Sequence, residues 1–418
     1  MCYIQHINSR VISQDGSGAE PLAYGVFRQD GEAPRVGMRF DERVIDLARF
    51  AELSRLDGVP QASCVFRAPR LNDFMALGPS VWSACLAGVQ AAIDANDNAL
   101  WTSSVPVDEV VLLRPFEVMD FVDFYASKHH AQLAGQLLRP GSDIAPCWPY
   151  LPLAYHSRAG SIVVSGEPVR RPSGQYVPNG ANTGGRPPVY AETQRLDFEL
   201  ELCFVIGTPS NGDPVKLANA LRHVFGVVLL NDWSARDIQA FEGRPLGPFL
   251  SKAFATSIAP WVVPLELLMK LRVPAGPQDP APLEHLMDDL GTHVFDIALE
   301  AALRAETMDV PDVVCQTNAR YLYWSVEQQI VHLTSSGARL RTGDLLGSGT
   351  ISGREVGSRA CMLEITSNGA NPLLLSDGTT RTYVEDGDEI VIRGHGLGTV
   401  RSQIVGAAMP APMASSAR

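Results

Sequence analysis

Short alternating segments dominate the pattern of hydrophobic and polar positions along this chain. Residues 24–27 (Tyr-Gly-Val-Phe) and 36–40 (Val-Gly-Met-Arg-Phe) alternate between turn signals, which predicts a small antiparallel sheet or barrel near the N-terminus. From residue 71 to residue 97, apolar side chains recur at helical spacing, which predicts a helical stretch. Few chemically reactive side chains lie in this region, so we interpret the first hundred or so residues as a supporting domain.

Beyond about Val111 the pattern changes to short apolar segments separated by glycine and proline. Examples are residues 161–165, 196–206, 224–230 and 389–393. Short strands at such spacing predict a mainly β (α+β) domain. Residues 172–188 are rich in Gly, Asn and Pro, which predicts a loop that covers or flanks a site.

Composition narrows the class of protein. The chain has 418 residues, of which 45% are hydrophobic and 19% charged, an ordinary balance for a soluble protein with a sizeable core. A net charge of -12 repels phosphates and anionic lipid, so we expect neither nucleic acid nor membrane as a partner. Seven cysteines without zinc-ligand or redox spacing, and no signal-peptide pattern, favour reduced thiols in a cytoplasmic protein.

The most informative segment is residues 195–205, where acidic and apolar residues alternate. As a strand, it places Asp197, Glu199 and Glu201 on one face. Carboxylates two residues apart in a strand lie about 6–7 Å apart and repel one another. A hard divalent cation with oxygen ligands would remove that repulsion. An acidic face open to solvent explains the same spacing, so both interpretations stay open at this point.

A second candidate follows the apolar segment that ends at Leu230. Asp232, Arg236 and Gln239 stand at i, i+4 and i+7, which is one face of a helix that begins where the strand ends. An aspartate helix cap with a routine ion pair fits the same spacing. The junction of strand and helix at a sheet edge favours ligand binding, because a carboxylate and two donors are presented together.

Isolated residues elsewhere carry weaker signals. Asp123 and His130 are seven apart and would share a face of a helix. Lys252, one of only four lysines, lies in an apolar stretch, either as a snorkelling side chain or as a buried cation that faces the carboxylates. Glu364 interrupts an apolar segment interpreted as a strand, and a buried glutamate needs a partner such as a histidine.

Taken together, these segments resemble the fumarylacetoacetase family. The resemblance spans nearly the whole chain and is carried by Asp123-Phe124-Tyr125 with His130, and by residues 231–239, 245–250 and 349–353. It implies an N-terminal SH3-like barrel in residues 1–112, a catalytic mixed β-sandwich roll in residues 113–406, and a homodimer. Residues 407–418, mostly small, are predicted to form a flexible tail.

The resemblance also assigns roles to individual residues. The ligands of a catalytic calcium or magnesium ion would be Asp123, Glu199, Glu201 and Asp232. Lys252 and Thr256 match a neighbouring region linked to a second ion. The catalytic groups would be His130 as general base, Glu364 as its orienting carboxylate, and Arg236, Gln239 and Lys252 as stabilisers of negative charge. The substrate contacts would be Tyr125, Arg139, Tyr155, Gln239 and Thr350.

The activity implied is metal-dependent hydrolysis of a carbon–carbon bond in a β-diketo acid. The expected substrate is 4-fumarylacetoacetate, cleaved to fumarate and acetoacetate in tyrosine and phenylalanine (homogentisate) catabolism. A related acylpyruvate hydrolase or an oxaloacetate-type decarboxylase is the alternative, although such relatives are usually shorter and lack the N-terminal domain. One departure is Phe241-Glu242-Gly243, where the family usually has Trp-Glu-Tyr, so a tyrosine that would contact the substrate is missing.

Overall fold

The fold is described from a computed structural model, which describes residues 20–54, 56–138, 141, 144–178, 187–288 and 291–407. In these ranges the strands are β1 (Ala23–Arg28), β2 (Arg35–Phe40), β3 (Arg43–Asp46), β4 (Ser104–Pro106), β5 (Val111–Leu113), β6 (Phe121–Phe124), β7 (Ala154–His156), β8 (Ile162–Val164), β9 (Val169–Arg170), β10 (Ser173–Tyr176), β11 (Val189–Glu192), β12 (Leu196–Asp197), β13 (Leu200–Ile206), β14 (Val224–Asp232), β15 (Ser234–Ala235), β16 (Thr256–Ile258), β17 (Trp261–Pro264), β18 (Arg272–Pro274), β19 (His293–Phe295), β20 (Ala298–Arg304), β21 (Asp312–Asn318), β22 (Leu345–Gly347), β23 (Leu373–Leu374), β24 (Thr380–Arg381), β25 (Glu389–Gly394) and β26 (Gly398–Val405).

The helices are fewer and mostly short. They are α1 (Leu47–Leu53), α2 (Ala62–Phe66), α3 (Asn72–Met75), α4 (Pro79–Asp94), α5 (Asn98–Thr102), α6 (Lys128–Leu138), α7 (Arg236–Glu242), α8 (Leu265–Leu268), α9 (Val326–Thr334) and α10 (Met362–Ile365). The protein is therefore a strand-rich mixture of α and β structure. Within the described ranges, no helix combines the length and the apolar character that crossing a bilayer requires.

One large mixed sheet runs through the molecule in the order β4-β3-β2-β1-β17-β14-β13-β22-β6-β7, with β5, β16 and β8 attached to it. Strand β1 pairs with β17 in the register Tyr24 to Val262, so the N-terminal strands extend the sheet that carries the later ones. Among the described residues β4 and β5 do not pair, and no closed barrel is seen, so the predicted SH3-like barrel is not confirmed.

The core lies between this sheet and a second one. The second sheet has the order β21-β20-β25-β26-β9, and β25 and β26 pack against β14 of the large sheet. All nine residues of β14 are buried, because the strand has neighbours on both sides and on its face. Strands buried in this way lose the alternation of polar and apolar residues, which explains the continuous apolar segment before Asp232.

The strands predicted around residues 24–27, 36–40, 161–165, 224–230 and 389–393 are present, and the helical stretch in residues 71–97 becomes α3 and α4. The strand predicted in residues 196–206 is divided into β12 and β13. The predicted loop of residues 172–188 is wrong in part. Residues 173–176 of this segment form β10, which pairs antiparallel with β11, and Tyr176 is buried against Ala235 and Ile238. Residues 179–186 and all of the predicted tail except Ala407 lie outside the described residues.

Three local predictions near the site are also wrong. Asp123 and His130 do not share a helix, because Asp123 lies in the buried strand β6 and α6 begins only at Lys128. Asp232 is the last residue of β14, and α7 begins four residues later at Arg236. Glu364 lies in the one-turn helix α10, which packs against α6, and not in a strand. In each case tertiary packing outweighs the local pattern.

Candidate functional site

Three acidic side chains from neighbouring strands converge in the interior. Asp123 lies in β6, Glu201 in β13 and Asp232 at the end of β14, and one oxygen of each lies within 4.8 Å of the other two. We call these three residues the acidic cluster. Asp232 and Glu201 are fully buried, and Asp123 is 3% exposed. The alternative of a solvent-exposed acidic face is therefore excluded for Glu201.

Two glycines make this convergence possible. Strand β22 lies between β13 and β6, with Gly347 directly opposite both Cys203 and Asp123. A Cβ at Gly347 would stand 3.3 Å from the Glu201 carboxylate and 2.9 Å from the Phe121 ring, so a side chain there would crowd both. Gly349, at a φ of +73°, donates its backbone N–H to Glu201 Oε2 over 3.1 Å. The Gly-rich segment of residues 347–353 is thus part of the site.

Glu199 is linked to the acidic cluster through Lys252. The Lys252 Nζ donates to Glu199 Oε2 over 2.7 Å and also to Asp232 Oδ2. The Thr256 hydroxyl lies 3.3 Å from Asp232 Oδ1. Lys252 is 4% exposed, which excludes the interpretation of a snorkelling surface lysine. Of the predicted ion-binding residues, all six therefore lie in one connected, buried group.

Arg158 is a member of this group that the sequence did not reveal. Its guanidinium contacts Asp232 Oδ1 and lies 3.5 Å from Asp123 Oδ2. Tyr155, predicted to contact substrate, donates its hydroxyl to Asp123 Oδ2 over 2.8 Å. In the sequence, the only signal that could have pointed to Arg158 is its position three residues after Tyr155, just beyond the end of β7.

The charges of this region do not balance. Among the described residues, five buried carboxylates (Asp123, Asp197, Glu199, Glu201 and Asp232) face three cations (Arg158, Arg236 and Lys252), which leaves two negative charges in excess when every group is ionised. A divalent cation would neutralise that excess.

The pKa values reflect the excess charge. Burial and the neighbouring Asp232 raise the pKa of Asp123 to about 7, although Arg158 and Lys252 act against the rise. Burial and the nearby carboxylates also raise the pKa of Glu201 well above its usual value. For Glu199, burial alone would raise the pKa, but Lys252 and Arg236 outweigh it and the pKa lies well below its usual value. Direct contact with Lys252 and Arg236 thus lowers the pKa of Glu199, whereas burial beside other carboxylates raises the pKa values of Asp123 and Glu201.

The residues of the acidic cluster fit a hard metal ion. Glu201 Oε1 is buried and has no hydrogen-bond partner among the described residues. A buried, unpaired carboxylate oxygen is costly unless a cation or a donor reaches it. Carboxylate oxygens are the ligands that Ca²⁺ and Mg²⁺ prefer. The acidic cluster could thus hold a divalent cation, with Glu199 adjoining it.

Beside the acidic cluster lies a histidine–glutamate pair. The His130 Nδ1 lies 3.0 Å from Glu364 Oε1, and both residues are buried. The other oxygen, Oε2, accepts hydrogen bonds from the Ser352 hydroxyl, from the Ala360 N–H over 3.3 Å and from the Cys361 thiol over 3.5 Å. Burial would raise the pKa of Glu364, but His130 and these donors outweigh it, and the pKa lies below its usual value.

Arg236 stands between the two groups. Its Nε donates to Asp197 Oδ2 over 2.8 Å, and its Nη1 lies 2.7 Å from Glu199 Oε1 and donates to Gln239 Oε1 over 3.0 Å. Its Nη2 is buried without a hydrogen-bond partner in the described part of the chain. Since Gln239 Oε1 is occupied by Arg236, the Gln239 amide nitrogen is left to donate. The Arg236 Nη2 is thus a nitrogen donor available beside Glu199.

The predicted substrate contacts lie around this centre, with one exception. The Tyr125 ring packs edge-on against the His130 imidazole at 5.2 Å between centroids. The Thr350 hydroxyl is buried and has no hydrogen-bond partner among the described residues. Arg139 lies outside the described residues, so its position is not stated. Together, the acidic cluster and the histidine–glutamate pair form a candidate catalytic centre for cation-assisted general base chemistry.

Comparison with known proteins identifies the family of the chain. The family model described as "Fumarylacetoacetate (FAA) hydrolase C-terminal" matches residues 121–405, and that described as "Fumarylacetoacetase N-terminal" matches residues 20–115. The chain therefore belongs to the fumarylacetoacetase family.

Individual relatives are similar over most of their length. The fumarylacetoacetase of Bos taurus is 42% identical over 388 residues, covering 90% of each chain. That of Homo sapiens is 39% identical over 408 residues, covering 93% of this chain and 96% of the relative. That of Arabidopsis thaliana is 41% identical over 408 residues, covering 94% and 95%.

Among solved structures, the fumarylacetoacetate hydrolase from psychrophilic Exiguobacterium antarcticum is similar in fold. Its TM-score is 0.55 at 17% identity, and the match covers 93% of this chain and all of that one. At this level of identity the likeness concerns the fold alone.

Proposed function

We propose that this protein hydrolyses 4-fumarylacetoacetate to fumarate and acetoacetate, as a step of tyrosine and phenylalanine catabolism. The observation that carries the proposal is the acidic cluster next to the His130–Glu364 pair, in a chain about 40% identical to curated fumarylacetoacetases. The reaction adds water across a carbon–carbon bond. It requires a deprotonated water, a stabilised tetrahedral oxyanion and a stabilised carbanion leaving group.

The proposed general base is His130. Because Nδ1 faces the Glu364 carboxylate, the proton of the neutral imidazole resides on Nδ1 and Nε2 is the acceptor. Nε2 then takes a proton from water as that water attacks the carbonyl carbon. General base catalysis of this kind contributes on the order of 10²–10⁴-fold. Glu364, held by three donors on its other oxygen, orients the ring and stabilises the imidazolium that forms.

The oxyanion is proposed to be stabilised by Arg236, Gln239 and Lys252. Support comes from the unpaired Arg236 Nη2 and from the Gln239 amide nitrogen. Each donor in a water-excluded site contributes roughly 3–4 kcal/mol to transition-state binding. Lys252 contributes as a positive charge, because its own hydrogen bonds go to Glu199 and Asp232.

The residues proposed to hold a divalent cation, calcium or magnesium, are Asp123, Glu199, Glu201 and Asp232, with Lys252 and Thr256 adjoining. When bound, such an ion supplies Lewis acidity to the 1,3-dioxygen pair of the substrate and spreads the charge of the leaving enolate. Tyr125, Arg139, Tyr155, Gln239 and Thr350 are proposed as substrate contacts. For Thr350 the support is its unpaired buried hydroxyl.

The remaining features of the proposal concern the protein as a whole. We retain a division into residues 1–112, 113–406 and 407–418, a homodimeric assembly and a cytoplasmic location. Nucleic acid and membrane are not proposed as partners, since the net charge of -12 disfavours both.

An assay of substrate disappearance tests the proposal. Purified protein is incubated with fumarylacetoacetate, with a chelator, and with chelator followed by excess Ca²⁺ or Mg²⁺. We expect equimolar fumarate and acetoacetate, loss of activity with the chelator and recovery with the ion. Absence of hydrolysis together with release of CO₂ from oxaloacetate would overturn the proposal in favour of a decarboxylase.

A further inference from the structure

Asp197 is a buried carboxylate that the proposed function does not use. The sequence places it on the same strand face as Glu199 and Glu201, but the ladder is interrupted at residues 198–199, between β12 and β13. Strand β12 pairs instead with β15, in the register Asp197 to Ser234. This pairing directs the Asp197 carboxylate away from the acidic cluster and towards the start of α7.

Its two oxygens join two separate parts of the site. Oδ2 accepts from Arg236 Nε over 2.8 Å and from the Leu363 N–H over 3.0 Å, and Oδ1 accepts from the Met362 N–H over 2.6 Å. Met362 and Leu363 open helix α10, and Glu364 is the next residue. One carboxylate therefore contacts both the guanidinium beside Glu199 and the helix that carries the partner of His130.

The remaining contacts make Asp197 the group that orients Arg236. Nη1 is taken by Glu199 and Gln239, and Nη2 has no partner among the described residues. Because a guanidinium is planar, holding Nε and Nη1 determines the direction of Nη2.

We propose that Asp197 is a positioning residue that holds the Arg236 guanidinium and the Glu364 helix at a constant separation. The inference rests on the proposed function, in which Arg236 stabilises the oxyanion and Glu364 orients the general base. A carboxylate is needed because its two oxygens accept three donors. An asparagine offers one oxygen, so its amide group would face either the guanidinium or the N–H groups of α10.

The test compares Asp197→Asn with Asp388→Asn. Asp388 is an equally buried carboxylate that accepts from Arg381 over 2.9 and 3.0 Å and from the Glu385 N–H over 2.8 Å, and none of these bonds goes to the acidic cluster or to the His130–Glu364 pair. In D197N we expect kcat to fall by about 10²-fold, the typical effect of misplacing a catalytic group by 1 Å. KM should change little, since the lost interaction belongs to the transition state. In D388N, stability falls while kcat stays near that of the wild type.

A double-mutant cycle separates positioning from general damage. Arg236→Gln alone is expected to lower kcat by about 10²–10³-fold, as for one oxyanion donor. The D197N/R236Q double variant should then lose less than the product of the single losses, because both changes remove the same alignment. A loss of kcat in the double variant that equals the product of the two single losses would overturn the inference. A loss of kcat in D388N as large as that in D197N would also overturn it.

Two further measurements keep the test decisive. Hydrogen exchange of a peptide spanning residues 361–365 should accelerate in D197N and not in D388N, and this readout does not require activity. If the wild type does not hydrolyse fumarylacetoacetate, the proposed function fails, and unchanged exchange in D197N would refute the positioning role separately. If D197N does not fold, Asp197→Glu decides. In D197E the carboxylate is displaced, so kcat should fall by about tenfold or more. A wild-type kcat in D197E would show that Asp197 only neutralises charge.

Discussion

The two halves of the candidate centre differ in how completely their charges are satisfied. In the acidic cluster, Glu201 Oε1 has no partner among the described residues and the pKa of Asp123 is raised to about 7. In the His130–Glu364 pair, the Glu364 carboxylate accepts from the imidazole and from three further donors, and its pKa is lowered.

This difference indicates which half needs a ligand. A buried glutamate with its donors in place is an anion already stabilised by the protein, so the His130–Glu364 pair is complete as folded. Carboxylates that share too few cations instead retain protons, and a divalent ion that displaces those protons completes the group. The comparison predicts that the two halves can be disabled independently.

The largest effect is expected from removing the base. His130→Gln should lower kcat by about 10²–10⁴-fold, because the proton of the attacking water loses its acceptor. Calcium affinity, measured by isothermal titration calorimetry, should stay at the wild-type value, since His130 does not belong to the acidic cluster. His156→Gln is the matched control, because that histidine is exposed and pairs with Asp120. A near wild-type kcat in H130Q would exclude His130 as the base.

A variant of Asp232 tests the acidic cluster separately from the His130–Glu364 pair. Asp232→Asn should abolish measurable calcium binding while the His130–Glu364 hydrogen bond persists, which a crystal structure of the variant would show. If D232N bound calcium as tightly as the wild type, Asp232 would not be a ligand.

A change in pH is expected to have an intermediate effect, which falls on the affinity for calcium. The Asp123 carboxyl, with a pKa near 7, must lose its proton to bind a cation, so proton and cation compete. Calcium affinity should therefore fall as pH decreases below 7, with a dissociation constant about tenfold weaker at pH 6 than at pH 8 for one released proton. The raised pKa of Glu201 acts in the same direction. Equal dissociation constants at the two pH values would contradict this account of the acidic cluster.

The sequence predicted the members of the site better than their arrangement. Alternation in residues 195–205 correctly indicated the strand that carries Glu201, because a period of two is a local property of the chain, but it left open whether the carboxylates face the interior. It could not show that the ladder breaks at residue 198, which turns Asp197 to Arg236 and α10. Arg158 likewise became visible only through contacts with residues 35 and 74 positions away.

For the fold as well, local elements were predictable from the sequence and long-range pairings were not. Short strands were predictable, because their segments are bounded by glycine and proline. The pairing of β1 with β17 was not predictable, because it joins residues more than 200 positions apart into one sheet. The helix of Glu364 was also missed, because one turn of helix between buried apolar residues has the same pattern as a short buried strand.

The smallest effect is expected on KM, from a substitution of Thr350. Thr350→Val removes a buried hydroxyl that makes no hydrogen bond within the described residues. If that hydroxyl bonds the substrate, KM should rise by roughly two- to tenfold, the worth of one neutral hydrogen bond. Thr334→Val serves as control, since its hydroxyl already donates to the Ile330 carbonyl, and it should affect stability without changing KM. An unchanged KM in T350V would remove Thr350 from the substrate contacts.

The acidic cluster is expected to bind one divalent cation next to an already complete histidine–glutamate pair. Crystals grown with Ca²⁺ test it most directly, through an anomalous difference map. We predict one peak among the carboxylate oxygens of Asp123, Glu199, Glu201 and Asp232, with the His130 Nδ1 still hydrogen-bonded to Glu364. A map without a peak there, with Asp123 and Asp232 still contacted only by protein side chains such as Arg158, would contradict it.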